Sequence, residues 1–135
     1  MCSLMSQVLH DIVHTYGWYI RKFISDAQAQ GATAIVCSPI PRDNWRDGKV
    51  MRAANDYGKW AGEAARAQGA FFVDLNTIIA DRHDKLGREH VSGIFFAPKE
   101  HTHTGAAGAQ FNARCVVEGL KAIDKCPLGD YLRKD

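Results

Sequence analysis

Two short apolar runs constrain this chain more than anything else in it. Ala34-Ile35-Val36-Cys37-Ser38, closed by Pro39, and Phe71-Phe72-Val73 are continuous rather than alternating. That is the pattern of strands buried on both faces. Each run follows a segment of helical periodicity that stops on glycine. Between His14 and Gln30, Tyr16, Gly17, Ile20, Phe23, Ile24 and Ala27 share a face, with Arg21, Lys22 and Asp26 opposite, and Gly31 ends the pattern. Between Val50 and Gln68, Val50, Ala53, Ala54, Tyr57, Trp60, Ala61 and Ala64 share a face, and Gly69 ends it. Helices alternating with buried strands predict an α/β protein whose two strands pair in parallel through a right-handed crossover.

The remaining segments fit the same scheme. PIPRDNWRDG is proline-rich and is expected to be neither helix nor central strand. Asn76 to Leu86 reads as a helix stopped by Gly87, followed by a loop with His90, Gly93 and Pro98. A final helix is expected from about Ala106 to Ile123, with Ala109, Asn112, Ala113, Val116, Val117 and Leu120 inward. That makes four helices and only two strands, whereas sheets usually carry about 4–6. A pair of apolar strands leaves an uncovered edge, which invites pairing with a second copy, so a homo-oligomer formed through that edge is the expected assembly.

Composition excludes several classes. The chain has 135 residues, 46% of them hydrophobic and 24% charged, which argues for one folded domain and against disorder. Seventeen Lys and Arg against fifteen Asp and Glu give a formal charge of +2, too small for a nucleic-acid footprint. No apolar run approaches the ~18 residues that a membrane-spanning helix needs, so neither nucleic acid nor membrane is an expected partner. The start, MCSLMSQVLHDIVHTYG, has no basic n-region, long apolar core or small-residue cleavage site. Cys2, Cys37, Cys115 and Cys126 form no CxxC pair. A Cys115–Cys126 bridge would require the last helix to stop early, because ~12 Å of helix separates Cys115 from Ile123 at 1.5 Å per residue.

The densest chemistry lies in Glu100-His101-Thr102-His103-Thr104-Gly105, just before the last helix. A histidine acts as general base near neutral pH, and a carboxylate that holds its tautomer also stabilises the imidazolium. Glu100 and His103, three residues apart on a turn, can make that contact, with Thr104 as the helix N-cap. The same residues also read as a polar loop that caps a helix. His10-Asp-Ile-Val-His14 is an H-D-x-x-H, one methylene short of the zinc-binding H-E-x-x-H, but zinc wants a third protein ligand. His101 and His103 make an i, i+2 pair with the same shortage, and no metal site is assigned. Among five serines, Ser38 is the best placed as a nucleophile, at the C-terminal end of a strand. Its plainer reading is a polar residue ending a strand before proline, so no nucleophile is assigned. Trp45, in the proline-rich loop, is the candidate for stacking on a sugar, whereas Trp18 and Trp60 read as packing residues.

Six segments in order resemble the SGNH-hydrolase superfamily, and within it the rhamnogalacturonan acetylesterases. They are Tyr16-Gly-Trp-Tyr-Ile-Arg-Lys-Phe, Gly31-Ala-Thr-Ala-Ile-Val-Cys-Ser-Pro, Ile40-Pro-Arg, Tyr57-Gly-Lys-Trp, Val73-Asp-Leu-Asn and His101-Thr-His-Thr…Gly-Ala. The resemblance implies a three-layer α/β/α, flavodoxin-like fold, here incomplete. It makes residues 1–135 a single partial domain, with residues 1–12 as an atypical extension. It also implies hydrolysis of acetyl esters on pectic polysaccharide, a secreted enzyme, no cofactor, and His103 as general base oriented by residue 100. The family carries Asp at that position, where this chain has Glu, and Ser-His-Glu triads also occur. The family's Gly-Asp-Ser nucleophile block, its oxyanion-hole glycine and its Gly-x-Asn-Asp motif have no counterpart here. Asn55-Asp56 falls inside a predicted helix. The chain therefore looks like the C-terminal half of the family. Alternatives are an inactive paralogue that at most binds or oligomerises, and a metal-dependent hydrolase.

Overall fold

A computed structural model describes residues 13–132. Helix α1 spans Tyr16–Ala29 and is capped by Thr15, whose hydroxyl accepts the Trp18 N–H. Strand β1 (Ile35–Cys37) pairs in parallel with β4 (Phe71–Val73), Ile35 opposite Phe71 and Cys37 opposite Val73. Helix α2 (Tyr57–Ala67) lies between them in sequence and packs on both strands, with α1 packed against it. Helix α3 (Leu75–Leu86) leaves β4 directly and ends at Gly87, whose φ of +82° suits a residue without a side chain. Helix α5 (Ala106–Lys121) then covers the opposite face of the sheet together with α3.

The three layers follow from the alternation of side chains along β4. Phe72 turns towards α2, where its ring lies against Gly62. Val73 turns the other way and joins Leu75, Ile79 and Cys115 in the main core. A Cβ at Gly119 would collide with Val73, so bare helix backbone is what lets α5 sit this close to the sheet. The mixed α/β architecture with a parallel pair is the one expected, and the two strands occupy the predicted runs.

Several boundaries differ from the expectation, each for an identifiable reason. Residues 50–56 are not helical. Val50 belongs to a small hairpin in which β2 (Trp45–Arg46) pairs antiparallel with β3 (Lys49–Val50). Asp47 and Gly48 turn it with φ of +51° and +75°, the Asp-Gly turn that matches hairpin twist. The Val50 and Ala53 amides donate to Asp84 and Asn76 instead of to a helix ladder. The buried face of α2 consequently consists of Gly58, Ala61, Gly62, Ala64 and Ala65, while Tyr57 and Trp60 are exposed.

The expected loop after Gly87 is largely helical, with a short α4 (Arg88–His90) running into a π-helical turn (Val91–Phe95). The inward face of α5 is Gly108, Phe111, Cys115 and Gly119; Ala109, Ala113 and Val117 are exposed, and Asn112, Val116 and Leu120 are half-buried. Small residues won that face because backbone approach decides it. Cys37, Cys115 and Cys126 are all free thiols.

Candidate functional site

The turn before α5 is held at both ends. At its start, the Glu100 N–H donates to the Ala97 carbonyl, closing a turn through Pro98 and Lys99. Lys99 takes a φ of +66°, a left-handed conformation that costs most side chains free energy. At its end, Thr104 bridges to Phe96 in antiparallel fashion and the Gly105 N–H donates to the Phe95 carbonyl at 2.8 Å. That pairing displaces Thr104 from its expected capping role. The N-cap of α5 is Gly105, with no side-chain cap bond. A third tie comes from the loop leaving β1, where the Asp43 N–H donates to the His101 carbonyl at 2.9 Å.

Within this frame Glu100 curls back over its own turn. Its Oε1 accepts the N–H groups of His101, Thr102 and His103 at 3.0, 2.7 and 3.1 Å. Its Oε2 lies 3.3 Å from His103 Nδ1. The Thr102 and His103 amides, and then the His103 ring, pull the Glu100 carboxyl down to about 2. Glu100 is therefore an ionised acceptor at any ordinary pH. His103 stands in solvent, its side chain 83% exposed, with the carboxylate near Nδ1. A histidine with a carboxylate beside one ring nitrogen is an arrangement that general-base chemistry can use. Beside the pair, a cleft of about 520 Å³ is lined by Asp43, Arg88, Ser92, Lys99, Glu100 and His101.

The other candidate residues are used differently. Ser38 is buried; its hydroxyl donates to Asp74 Oδ1 at 2.9 Å and accepts the Asn76 N–H at 2.8 Å. No histidine is among its partners. Trp45 packs half-buried against Phe95 and Phe96, and its Nε1 donates to Asp43 Oδ1, which also accepts the Ser92 hydroxyl. Its ring serves the core beneath the cleft. His14 stacks on Trp18 with ring centroids 3.6 Å apart, while His10 lies outside the described residues, and with it the H-D-x-x-H pair.

Sequence reasoning passed over Asp43, Asn76 and His83. Asn76 holds the Ala53 N–H and the Pro39 carbonyl as well as Ser38, joining three segments at the strand ends. His83 continues the Leu75–Ile79 stripe of α3 at i+4 spacing, a signal that was legible as burial.

The described residues thus form a layered α/β unit with a histidine–carboxylate turn ahead of α5. Over most of its length the chain is similar to rhamnogalacturonan acetylesterases. It is 28% identical over 119 residues to the rhamnogalacturonan acetylesterase of Emericella nidulans, covering 88% of this chain and 48% of that protein. A probable rhamnogalacturonan acetylesterase of Bacillus subtilis is 24% identical over 124 residues, covering 90% of this chain and 57% of its own length. The chain thus spans about half the length of the curated relatives it matches. The solved structure of the Bacillus subtilis YxiM protein superposes with a TM-score of 0.71 at 23% identity, over 78% of this chain and 30% of that one, which supports the fold alone. No family model matches.

Proposed function

We propose that this chain carries the base half of a carbohydrate esterase that removes acetyl groups from a pectic polysaccharide. His103 Nε2 takes the proton of an attacking hydroxyl, and Glu100 holds the ring and stabilises the imidazolium. The attacking hydroxyl adds to the acetyl carbonyl, and the sugar oxygen leaves with the proton that His103 returns. The observation that carries this reading is the Glu100 Oε2–His103 Nδ1 contact in a chain similar to acetylesterases. In this reading the nucleophile and the oxyanion donors come from outside this chain; the absence of a Gly-Asp-Ser block and the bonding of the Ser38 hydroxyl to Asp74 and Asn76 support it. The chain by itself is therefore a poor esterase.

Two experiments test the proposal. The chain alone is expected to turn over neither an aryl acetate nor acetylated pectin, and to resist a serine-directed phosphonate. Turnover lost in His103→Ala, with label on Ser38, would make Ser38 the nucleophile and overturn the assignment. Grafted in place of the matching half of an acetylesterase relative, the chain is expected to support deacetylation that His103→Ala abolishes and Glu100→Gln reduces by ~10²–10⁴-fold. A folded chimaera indifferent to both substitutions would remove the pair from the mechanism.

A further inference from the structure

His83 is buried to 2% exposure, and neither ring nitrogen has a hydrogen-bond partner among the described residues. Its ring lies against Phe111 of α5, centroids 5.4 Å apart, and against Phe95 of the π-helical turn at 5.7 Å. Phe95 and Phe111 complete the group at 4.7 Å from each other. The backbone of Phe95 is the anchor of the catalytic turn: its carbonyl receives the Gly105 N–H, two residues beyond His103. Helix α5 approaches this point so closely that a Cβ at Gly108 would lie 2.5 Å from the Phe95 oxygen. One ring thus sits beneath the support of the turn, and π-helical turns are often found at functional sites.

We propose that His83 is a positioning residue for the Glu100–His103 pair: its uncharged ring, packed against both Phe95 and Phe111, fixes the segment on which the pair stands, and a proton on that ring releases it. A charged imidazolium needs water or acceptors at both nitrogens, and the two phenyl neighbours supply neither. Asp84 from α3 and Asp43 from the loop after β1 both favour the charged ring, but burial outweighs them and holds His83 down at about 4. The remaining charged neighbours are turned elsewhere: Arg82 pairs with Glu118 and reaches Cys115, and His90 meets only the edge of Phe95. Protonation must therefore be accommodated by opening the Phe95–Phe111 contact, which carries the Gly105 anchor with it.

This rests on the reading of Glu100 and His103 as the working pair only for its consequence in catalysis. The test reads the turn itself, so the two fail separately. Amide protons of Thr102 and His103, both bonded to Glu100, are followed by NMR in the isolated chain as pH falls, alongside ring signals of labelled His83. Release through His83 predicts loss of the turn near pH 4 in step with ring protonation, although the Glu100 carboxyl itself stays ionised down to about 2. His83→Phe, and His83→Leu should the larger ring distort the core, are expected to hold the turn to about two pH units lower. An unchanged midpoint in either folded variant overturns the proposal. So does a His83 ring that titrates at an ordinary 6.5, or loss of α2 amides at the same pH as the turn.

Discussion

Two histidines of this chain occupy opposite extremes. His103 stands in solvent with a carboxylate near Nδ1, and His83 is buried against two phenyl rings with no hydrogen-bond partner at either nitrogen among the described residues. The same side chain is proposed as a proton carrier in one place and is a packing element in the other. The difference is access and partner: a base must reach its proton and keep its charge, whereas a core ring must never acquire one. A third polar group, Ser38, lies between these cases, buried yet fully bonded.

The largest effect expected from breaking this contrast is at His83→Asp. It traps a carboxylate where two carbon faces leave it unpaired, and a loss on the order of 4 kcal/mol is expected in urea unfolding. A loss below about 1 kcal/mol would mean that the pocket is wetter than its burial indicates.

Acid titration comes next. The unfolded chain binds a proton at His83 near 6.5, and the folded chain only at about 4, so between those values the unfolded state holds more protons and stability falls with falling pH. The shift of roughly 2.5 units corresponds to about 3 kcal/mol across that window. His83→Phe should remove most of this slope, while His103→Ala should leave it in place; calorimetry at pH 7, 5.5 and 4 separates them.

A smaller effect is expected at Ser38→Ala. It leaves the Asn76 amide without its acceptor and removes one of three donors from Asp74, which keeps the Thr77 amide and hydroxyl, at a cost of about 2 kcal/mol. In the grafted chimaera of the previous section it should leave turnover per folded molecule unchanged, and a specific loss of turnover would move Ser38 from structure to chemistry. The smallest is Lys99→Gly, which relieves the left-handed backbone and is expected to stabilise the chain by about 1 kcal/mol. A destabilised variant would show that the Lys99 side chain supports the turn through contacts of its own.

What the sequence revealed, and what it hid, follows from the range of the forces involved. β1 and β4 were legible because continuous apolar runs of that length have few other homes, and the Glu100–His103 spacing was legible because the contact closes within one turn. The start of α2 was misplaced because Val50 and Ala53 satisfy the helical period yet spend their amides on Asp84 and Asn76, 34 and 23 residues away. The Asp47-Gly48 hairpin carried a local signal that the surrounding prolines masked. The working face of α5 was read in part: Val116 and Leu120 pack on the core as expected, but Ala109, Ala113 and Val117 do not, and Gly108 and Gly119 mark where backbone meets backbone and side chain. His83 was invisible as a polar residue, because only the assembled core shows that nothing answers its nitrogens.

Those two glycines have a consequence for how this unit tolerates change in length. Eleven residues separate Gly108 from Gly119, close to three full turns, so both contacts fall on one line along α5, about 16 Å apart. One notch seats on the Phe95 backbone and the other on Val73 of the sheet. The helix thus acts as a gauge rod that sets the height of the His103 turn above β4. One residue inserted between the notches would rotate the second by about 100° and present a side chain where none fits. The turn ahead of α5 and the rod itself keep one gauge together.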